Sequence, residues 1–344
     1  MVFMSNSGAM GGKQSFWLWE WLGYRLGLWL DRLGPWLLLN APPIGRLYAC
    51  AIRGRAPRLG VVPGWRFALE YYVTYPWWVM RRGALWRCAL EHQLEVPIVV
   101  PWLLGTRVRV TLGNDSSLCL YVSGSFEPNE FAFFDRVLRP GMSVVDIGAN
   151  EGLYTLFAAR RVGASGRVVA VEPSSRERGL LEANLARNRL GNVTIVPHAL
   201  AEQSGAAELQ IAPKRHGGHN TLGGFIHEGE TAVARETVTI ETLDALGARL
   251  GLARIDVVKI DVEGAELRLL SGGRTLLCQH RPILLIEANE EALKRQGTGT
   301  AALVDLLLSL DYRIHVFNTS GVTEAWIRGR PLSENIVALP GEGR

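Results

Sequence analysis

SVVDIGANEGLYT, residues 143–155, is the stretch that decides the fold. A run of β-branched and apolar residues meets Asp146, Gly148 and Gly152 and continues as LYTLFAA, a pattern typical of a strand, a tight turn and a helix. In α/β proteins such a junction commonly binds a ligand, because the carboxyl end of the strand meets the first turn of the helix there.

The same alternation of strand and helix continues through the rest of the chain. Apolar strands are predicted at 143–147, 167–172, 193–197, 255–260, 283–287, 312–317 and 335–339, and helices at 152–162, 174–188, 264–271 and 299–309. Nearly continuous apolar strands separated by helices indicate a parallel sheet covered on both faces. We therefore predict a doubly wound α/β fold, with its ligand at the carboxyl ends of the strands near the switch in strand order.

The class of ligand is indicated by the acid that ends the second strand. Glu172 lies 20 residues beyond Gly152, where a carboxylate can accept the ribose hydroxyls of either NAD or S-adenosylmethionine. The turn 148–152 lacks the middle glycine of G-x-G-x-x-G, and Glu151 would face a pyrophosphate with its own negative charge. A cofactor with an ammonium and a sulfonium but no phosphate is favoured.

Composition divides the 344 residues unevenly. Residues 1–102 hold ten of the eleven tryptophans and a net charge of +6, whereas the remainder carries −2. The four cysteines form no CxxC pair, which favours a reducing, cytoplasmic compartment over a zinc site or a disulfide framework. We predict a Trp-rich basic extension at 1–102 and a catalytic domain at 103–344.

Residues 15–39 form an imperfect amphipathic helix in this interpretation. Four charged residues interrupt its apolar run, so neither a transmembrane span nor a signal peptide is favoured. Two interpretations stay open: the helix lies in a membrane interface as a peripheral contact, or it docks on the protein's own core or a partner. The scattered arginines do not form a nucleic-acid-binding stripe.

The segment before the decisive stretch predicts a short β-hairpin. RVRVTL (107–112) and LCLYV (118–122) alternate around a turn at 113–116, and a helix is predicted at 130–138. The Arg139-Pro140-Gly141 sequence ends that helix and leads into the first strand of the sheet.

Several motifs resemble one known family in order and spacing. LRPGMSVVDIGANEGLYT, VVAVEPSSRERGLLEANLARN, HALAEQSG and VVKIDVEGAE are similar to the FkbM-type S-adenosylmethionine-dependent methyltransferases, a class I Rossmann-like family. The resemblance runs from about residue 126 to 318 and implies methyl transfer mainly to hydroxyl oxygens of sugars and secondary metabolites. It does not cover the Trp-rich extension.

The resemblance also implies roles for individual residues. The turn around the cofactor's amino acid portion matches Asp146, Gly148, Asn150 and Gly152, the ribose-binding acid matches Glu172, and the adenine contact matches His198 and Ala199. Glu130 lies in a segment similar to the family's lid over the cofactor.

The place where such enzymes meet the transferred methyl group is matched by Asp261 and Glu263, in KIDVEGAE. A hydroxyl becomes a good nucleophile only as its proton leaves, so a carboxylate there is expected to act as general base. Asp261 is the first candidate and Glu263 the second, while Lys259, two residues back on the same strand face, would keep Asp261 ionised or orient the acceptor. The alternative is that both acids only cap the following helix.

The excursion 201–254 is long enough to shape an acceptor pocket. Within it, His219 and Asn220 are candidates for hydrogen bonds to a polyhydroxylated acceptor, and Glu287, at a later strand end, is a further substrate-binding candidate. His216 and His219, with His198 or His227, are spaced as metal ligands could be. We predict no metal, because no carboxylate pattern accompanies them.

The sequence thus favours an O-methyltransferase that takes S-adenosylmethionine and methylates a glycan, glycolipid or similar hydroxylated metabolite. Its N-terminal helix would bring it to a membrane-bound substrate. Two alternatives stay open: a non-catalytic nucleoside-binding scaffold of the same fold, and a methyltransferase directed at nitrogen or at a protein side chain.

Overall fold

The computed structural model describes residues 32–57, 59, 76–225, 231–318 and 320–341. Its strands, in chain order, are β1 (Pro97–Pro101), β2 (Arg107–Thr111), β3 (Ser143–Ile147), β4 (Arg167–Val171), β5 (Val193–Val196), β6 (Ala199–Leu200), β7 (Gly205–Ile211), β8 (Ala234–Glu241), β9 (Val257–Ile260), β10 (Ile283–Glu287), β11 (Tyr312–Phe317), β12 (Thr323–Ala325) and β13 (Asn335–Pro340).

α-Helices accompany these strands in the described part of the chain. They are α1 (Pro42–Ala51), α2 (Pro76–Glu91), α3 (Pro128–Val137), α4 (Leu153–Val162), α5 (Ser175–Asn188), α6 (Leu243–Arg249), α7 (Glu266–Ser271), α8 (Arg274–His280), α9 (Glu290–Arg295) and α10 (Thr300–Ser309). Residues 32–40 are helical as well, and residues 15–31 of the predicted N-terminal helix lie outside the described residues.

The central sheet has eight strands in the order β12-β11-β13-β10-β9-β3-β4-β5. The five strands from β10 to β5 are parallel, and β13, β11 and β12 are added antiparallel at one end. The chain starts the parallel part at β3, builds outward through β4 and β5, and then returns to the other side with β9 and β10. The switch in strand order therefore lies between β3 and β9.

Both faces of this sheet are buried. Along β3, Val144 belongs to one hydrophobic cluster, with α4 residues such as Leu156, and its neighbour Val145 belongs to a second, with α10 residues such as Leu307. Successive side chains of a strand point to opposite faces, so the two clusters are the two helical layers. The predicted doubly wound α/β fold is confirmed, and its apolar strands are long hydrophobic runs for this reason.

The predicted β-hairpin was wrong in one of its two strands. β2 pairs antiparallel with β1, which precedes it, whereas residues 118–123 are π-helical. Asn114 starts this helical segment with a capping box: its side chain accepts from the Ser117 N–H, and the Ser117 hydroxyl accepts from the Asn114 N–H. The cap satisfies backbone donors locally and so favours a helix over a second strand.

The long excursion after β5 folds into a sheet of its own. β6, β8 and β7 lie in that order, with β6 parallel and β7 antiparallel to β8. Ala199, matched from the sequence to the adenine contact, forms β6 together with Leu200. This small sheet follows directly from the carboxyl end of β5 and places the loop 212–221 beside the ends of the central strands.

The described N-terminal helices pack on the domain. A side chain at Gly34 would lie 2.9 Å from Leu85 of α2, and the Tyr121 hydroxyl donates to the Ala49 carbonyl of α1 at 3.3 Å. These residues join the hydrophobic cluster that lies on one face of the sheet. Within the described ranges, no helix combines the length and apolar character needed to cross a bilayer.

Candidate active site

The turn after β3 is shaped by positive backbone angles. Gly148, Asn150 and Gly152 have φ values of 77°, 48° and 95°. A Cβ on Gly148 would stand 1.7 Å from the Asp261 carbonyl oxygen, and one on Gly152 would stand 2.5 Å from the Leu181 side chain. Only glycine fits at either position, because the turn lies directly against the end of β9 and against α5.

Glu172 connects this turn to the end of β4. Its two carboxylate oxygens accept from the Asn150 N–H at 2.8 Å and from the Ser174 N–H at 2.9 Å. Burial raises the pKa of the Glu172 carboxyl to about 7, against the lowering effect of these hydrogen bonds. Each oxygen keeps a further lone pair, so the carboxylate can still accept hydrogen bonds from a ligand.

A cleft of about 660 Å³ opens at the carboxyl ends of the parallel strands. Its lining includes eight residues singled out from the sequence, which are Gly148, Asn150, Glu172, His198, Ala199, Asn220, Asp261 and Glu263. Four carboxylates and no Lys or Arg line the cleft among the described residues. The oxygens of these carboxylates can accept hydrogen bonds from the ammonium and hydroxyl groups of a ligand.

Lys259 lies beneath the cleft rather than in its lining. Its ammonium donates to Asp261 Oδ2 at 2.8 Å and stands 5.0 Å from the centre of the Tyr154 ring. Burial opposes the charge, but the Asp261 and Asp146 carboxylates raise the pKa of Lys259 above its ordinary value. The Asp261 side chain is about one-third exposed, at 34%, so a carboxylate held by a buried cation faces the cleft.

Asp146 is buried within β3 and lies outside the lining of the cleft. One of its oxygens accepts from the Thr155 hydroxyl at 2.5 Å, and the other has no hydrogen-bond partner among the described residues. Burial raises the pKa of the Asp146 carboxyl, against the attraction of Lys259. In this arrangement Asp146 supports Lys259 and the start of α4.

Two further acids, Glu263 and Glu287, lie at or just beyond the ends of the neighbouring strands β9 and β10. Carboxylate oxygens of Asp261, Glu263 and Glu287 all lie within 4.8 Å of one another. Burial and the two neighbouring carboxylates raise the pKa of Glu287 well above its ordinary value. Glu263 takes a left-handed backbone conformation (φ 52°), which turns its side chain toward His219, 3.4 Å away.

The two polar residues predicted for acceptor binding are held by protein groups. Asn220 accepts from the Ala212 N–H at 2.9 Å and donates to Glu177 at 2.8 Å. His219 lies between Glu263 and Asp115, and hydrogen bonds to these carboxylates raise its pKa to about 10. Both residues thus fasten the loop that borders the cleft.

Glu130, predicted to lie in a lid, is outside the cleft lining and contacts Asn335 at 3.4 Å. Glu127, three residues before Glu130, is linked to Lys259 through Tyr154. Glu127 accepts a hydrogen bond from the Tyr154 hydroxyl at 2.5 Å, and the Lys259 ammonium lies 5.0 Å from the centre of the Tyr154 ring. Burial raises the pKa of Glu127 to about 7, against the attraction of Lys259. Sequence reasoning missed Glu127 and Tyr154, since neither belongs to a recognisable spacing.

Two other acids differ from their sequence interpretation. Glu151 is 3% exposed and is not part of the cleft lining, so the prediction that it would face a pyrophosphate was wrong. Glu177, which was missed, lines the cleft and is hydrogen-bonded to the Ser174 hydroxyl. The spacing Ser-x-x-Glu at 174–177 is a capping-box pattern and was the available signal.

Comparisons with known proteins fit this geometry. Residues 146–314 match the methyltransferase FkbM domain. The AMB antimetabolite synthetase AmbE of Pseudomonas aeruginosa is 32% identical over 236 residues, which are 60% of this chain and 11% of that protein. The 31-O-demethyl-FK506 methyltransferase FkbM of Streptomyces tacrolimicus is 31% identical over 161 residues, which are 39% of this chain and 60% of that protein.

A solved structure, methyltransferase FkbM from Methylobacillus flagellatus KT, aligns with a TM-score of 0.39 and 17% identity, over 86% of this chain and 60% of that one. The chain spans about a tenth of the length of the first relative and three fifths of the second.

Proposed function

We propose, from the fact that residues 146–314 belong to the methyltransferase FkbM domain family, that this chain methylates a hydroxyl oxygen of a sugar, glycolipid or secondary metabolite. The observation that carries the proposal is the acidic cleft at the switch point, where Asp261 faces the opening with Lys259 behind it. The general base of the reaction is then Asp261 in this proposal.

S-adenosylmethionine is the cofactor of the domain, and the cleft residues fit it. The cofactor carries an ammonium and a sulfonium, and the lining offers four carboxylates without a Lys or Arg among its described residues. Glu172 would hold the ribose hydroxyls, the turn at Gly148 and Asn150 would hold the amino acid portion, and His198 and Ala199 would border the adenine.

The reaction requires this chain to position the cofactor and the acceptor and to accept one proton from the acceptor hydroxyl. When bound, S-adenosylmethionine supplies an electrophilic methyl group. Asp261 accepts the proton of the acceptor hydroxyl on its exposed carboxylate, which the Lys259 ammonium holds in place by a hydrogen bond of 2.8 Å. Glu263, which lines the cleft, would accept a hydrogen bond from a further hydroxyl of a polyhydroxylated acceptor, and Glu287, outside the lining but with a carboxylate oxygen within 4.8 Å of it, would accept another.

The oxygen acceptor is also supported by one relative. The name of the Streptomyces tacrolimicus protein describes methylation at a 31-O position of a metabolite. The rivals are a methyltransferase for nitrogen or protein side chains and a scaffold without turnover. The Asp261 carboxylate, held by the Lys259 ammonium, favours the hydroxyl acceptor over an amine, because a hydroxyl needs a base more than a neutral amine does.

We further propose a peripheral membrane contact through the N-terminal helices. Trp36, Leu39, Ile44 and Leu47, which we call the N-terminal apolar surface, are each at least 44% exposed. Arg46 lies between the last two of these, and exposed basic and apolar residues together are typical of helices that bind an anionic bilayer surface.

The function is tested first by binding and then by transfer. Calorimetric titration of the full chain with S-adenosylmethionine should give one site, and titration with NAD should give no heat above dilution. Transfer of a labelled methyl group is then screened over polysaccharide, lipid, small-molecule, protein and RNA fractions.

The product identifies the acceptor atom. A methyl ether survives mild base, whereas a methyl ester on a protein carboxyl is hydrolysed and a methylated amine changes the ionisation of the product. Binding without transfer to any fraction would favour the scaffold, and label in the RNA or protein fraction would overturn the proposed acceptor class.

A further inference from the structure

A cluster of two histidines and one carboxylate lies beside the cleft and is unused by the proposed reaction. Asp115 belongs to the helical turn after β2, and His216 and His219 flank the two glycines of the loop after β7. His216 Nδ1 lies 2.7 Å from Asp115 Oδ2, and His219 Nε2 lies 3.6 Å from the same oxygen. All three donor atoms lie within 4.8 Å of one another.

These distances are close to those of a coordination sphere. Ligand atoms about 2.0–2.2 Å from one ion stand roughly 3–3.5 Å apart when they occupy adjacent positions. The three donors need only small side-chain rotations to reach such spacing. Imidazole nitrogen and carboxylate oxygen together suit a first-row divalent ion such as Zn²⁺ or Co²⁺.

A fourth residue stands where metal sites place a supporting group. His219 Nδ1, the ring nitrogen that does not face Asp115, lies 3.4 Å from Glu263 Oε1. A carboxylate on the second nitrogen of a histidine fixes the ring and the tautomer in which the first nitrogen is a ligand. Its presence is an observation independent of the three donors themselves.

We propose that Asp115, His216 and His219 bind one divalent transition-metal ion at the rim of the cleft, with Glu263 orienting His219. The ion would fasten the loop 212–221 to the turn that starts at Asn114. Gly217 and Gly218 of this loop line the cleft, and a side chain at Gly218 would lie 3.1 Å from the Asn150 amide. Metal binding would therefore set the shape of the rim.

From the sequence alone we predicted no metal, because no carboxylate pattern accompanies His216 and His219. The missing ligand is 101 residues away from His216 in the chain, beside β2, and the fold brings it into place. This site does not depend on methyl transfer, so its test is separate from that of the proposed function.

The test is direct metal titration of the full chain, purified without a histidine tag and stripped of metal by chelation. We expect one Co²⁺ per chain, seen as visible absorption of the bound ion, and displacement by Zn²⁺. His216→Gln, His219→Gln and Asp115→Asn should each weaken Co²⁺ binding by about tenfold or more. His280→Gln, a histidine at the end of α8, is the matched control and should bind as the wild type does.

Circular dichroism of the metal-free variants shows that each is folded, and any folded variant of the three decides the matter. The proposal is overturned if the wild type binds no stoichiometric ion, which leaves the cluster as an ion pair only. It is equally overturned if the folded ligand variants bind Co²⁺ as tightly as the wild type and the His280→Gln control.

Discussion

The Glu172 carboxylate is hydrogen-bonded on both oxygens by the backbone of the two turns that border the cleft. It holds the turn at Asn150 against the end of β4 while keeping lone pairs for a ligand. One side chain thus contributes both to the shape of the cleft and to the recognition of its occupant.

Glu172→Ala should weaken binding of S-adenosylmethionine by about 100-fold or more, because it removes two hydrogen bonds to a charged group, which contribute roughly 1.5–3 kcal/mol each. Isothermal calorimetry measures the change. Glu182→Ala, an exposed acid on α5, is the control. Unchanged affinity in a folded Glu172→Ala protein would remove Glu172 from the cofactor site.

Asp261→Asn should leave the dissociation constant of S-adenosylmethionine within a few-fold of wild type. Loss of a general base should lower turnover by about 10²- to 10⁴-fold. Single-turnover methyl transfer, measured beside cofactor binding, separates the two effects. Asp305→Asn, an exposed acid of α10 that pairs with Arg328, should retain full activity; a fully active Asp261→Asn would move the base to Glu263 or Glu287.

At the scale of elements, the loop between β9 and α7 is held by Glu266, the first residue of α7. Glu266 Oε1 accepts from the Val262 N–H at 3.0 Å and the Gly264 N–H at 3.2 Å. The Glu266 carboxyl is 1% exposed, and burial raises its pKa to about 7. This capping acid therefore positions the backbone of Asp261 and Glu263.

The sign of the resulting pH dependence follows from linkage. Because the folded pKa of Glu266 is above its unfolded value, near 4.3, the folded state binds more protons and this group lowers stability as pH rises between about 4.3 and 7. Glu266→Gln keeps an acceptor oxygen and removes the charge. The free energy of unfolding of the variant minus that of wild type should increase by about 2.5 kcal/mol from pH 5 to pH 8.

Urea denaturation at the two pH values measures this difference. Glu208→Gln, an acid on β7 that accepts from the Thr237 hydroxyl, is the control, and its difference from wild type should stay constant. A Glu266→Gln difference that does not change with pH would show that this carboxyl is not a source of the pH dependence.

The elements that could be predicted are those whose formation depends on residues close together in the sequence. The strand bounds 143–147 and 283–287 agree with the structure, because buried parallel strands are continuous apolar runs ended by turn residues. The bounds 312–317 also agree, because apolar and polar residues alternate along this antiparallel strand. β1 was missed because prolines occupy both its ends, which only an edge of a small sheet tolerates. Asp115 escaped notice because its partners are remote in sequence and meet it only through the packing of two loops.

At the scale of the whole molecule, the described N-terminal helices are both packed and exposed. Leu38 and Leu85 are at most 2% exposed and belong to the hydrophobic cluster on one face of the sheet. The N-terminal apolar surface lies on the same helical segments and contacts solvent. Leu38, which belongs to the predicted helix 15–39, therefore packs on the protein's own core, whereas the interfacial interpretation of that helix stays a prediction.

Membrane contact through that surface is tested by replacing two of its apolar side chains with glutamate. Wild-type protein should sediment with vesicles of phosphatidylcholine and phosphatidylglycerol, and a variant with both Ile44→Glu and Leu47→Glu should stay largely in solution. Burying one such side chain contributes about 1.5–3 kcal/mol, so losing two should reduce the partition coefficient at least tenfold. Both residues are more than half exposed, and the fold should be unaffected.

Leu308→Glu, a 41% exposed leucine on α10, is the matched control and should sediment as wild type does. If wild type stays in solution at all vesicle concentrations, the exposed surface has another occupant, such as a protein partner. If the double variant sediments like wild type, membrane binding uses other residues. Loss of sedimentation in the double variant alone would connect the N-terminal helices to a lipid surface and favour a membrane-bound acceptor for the cleft.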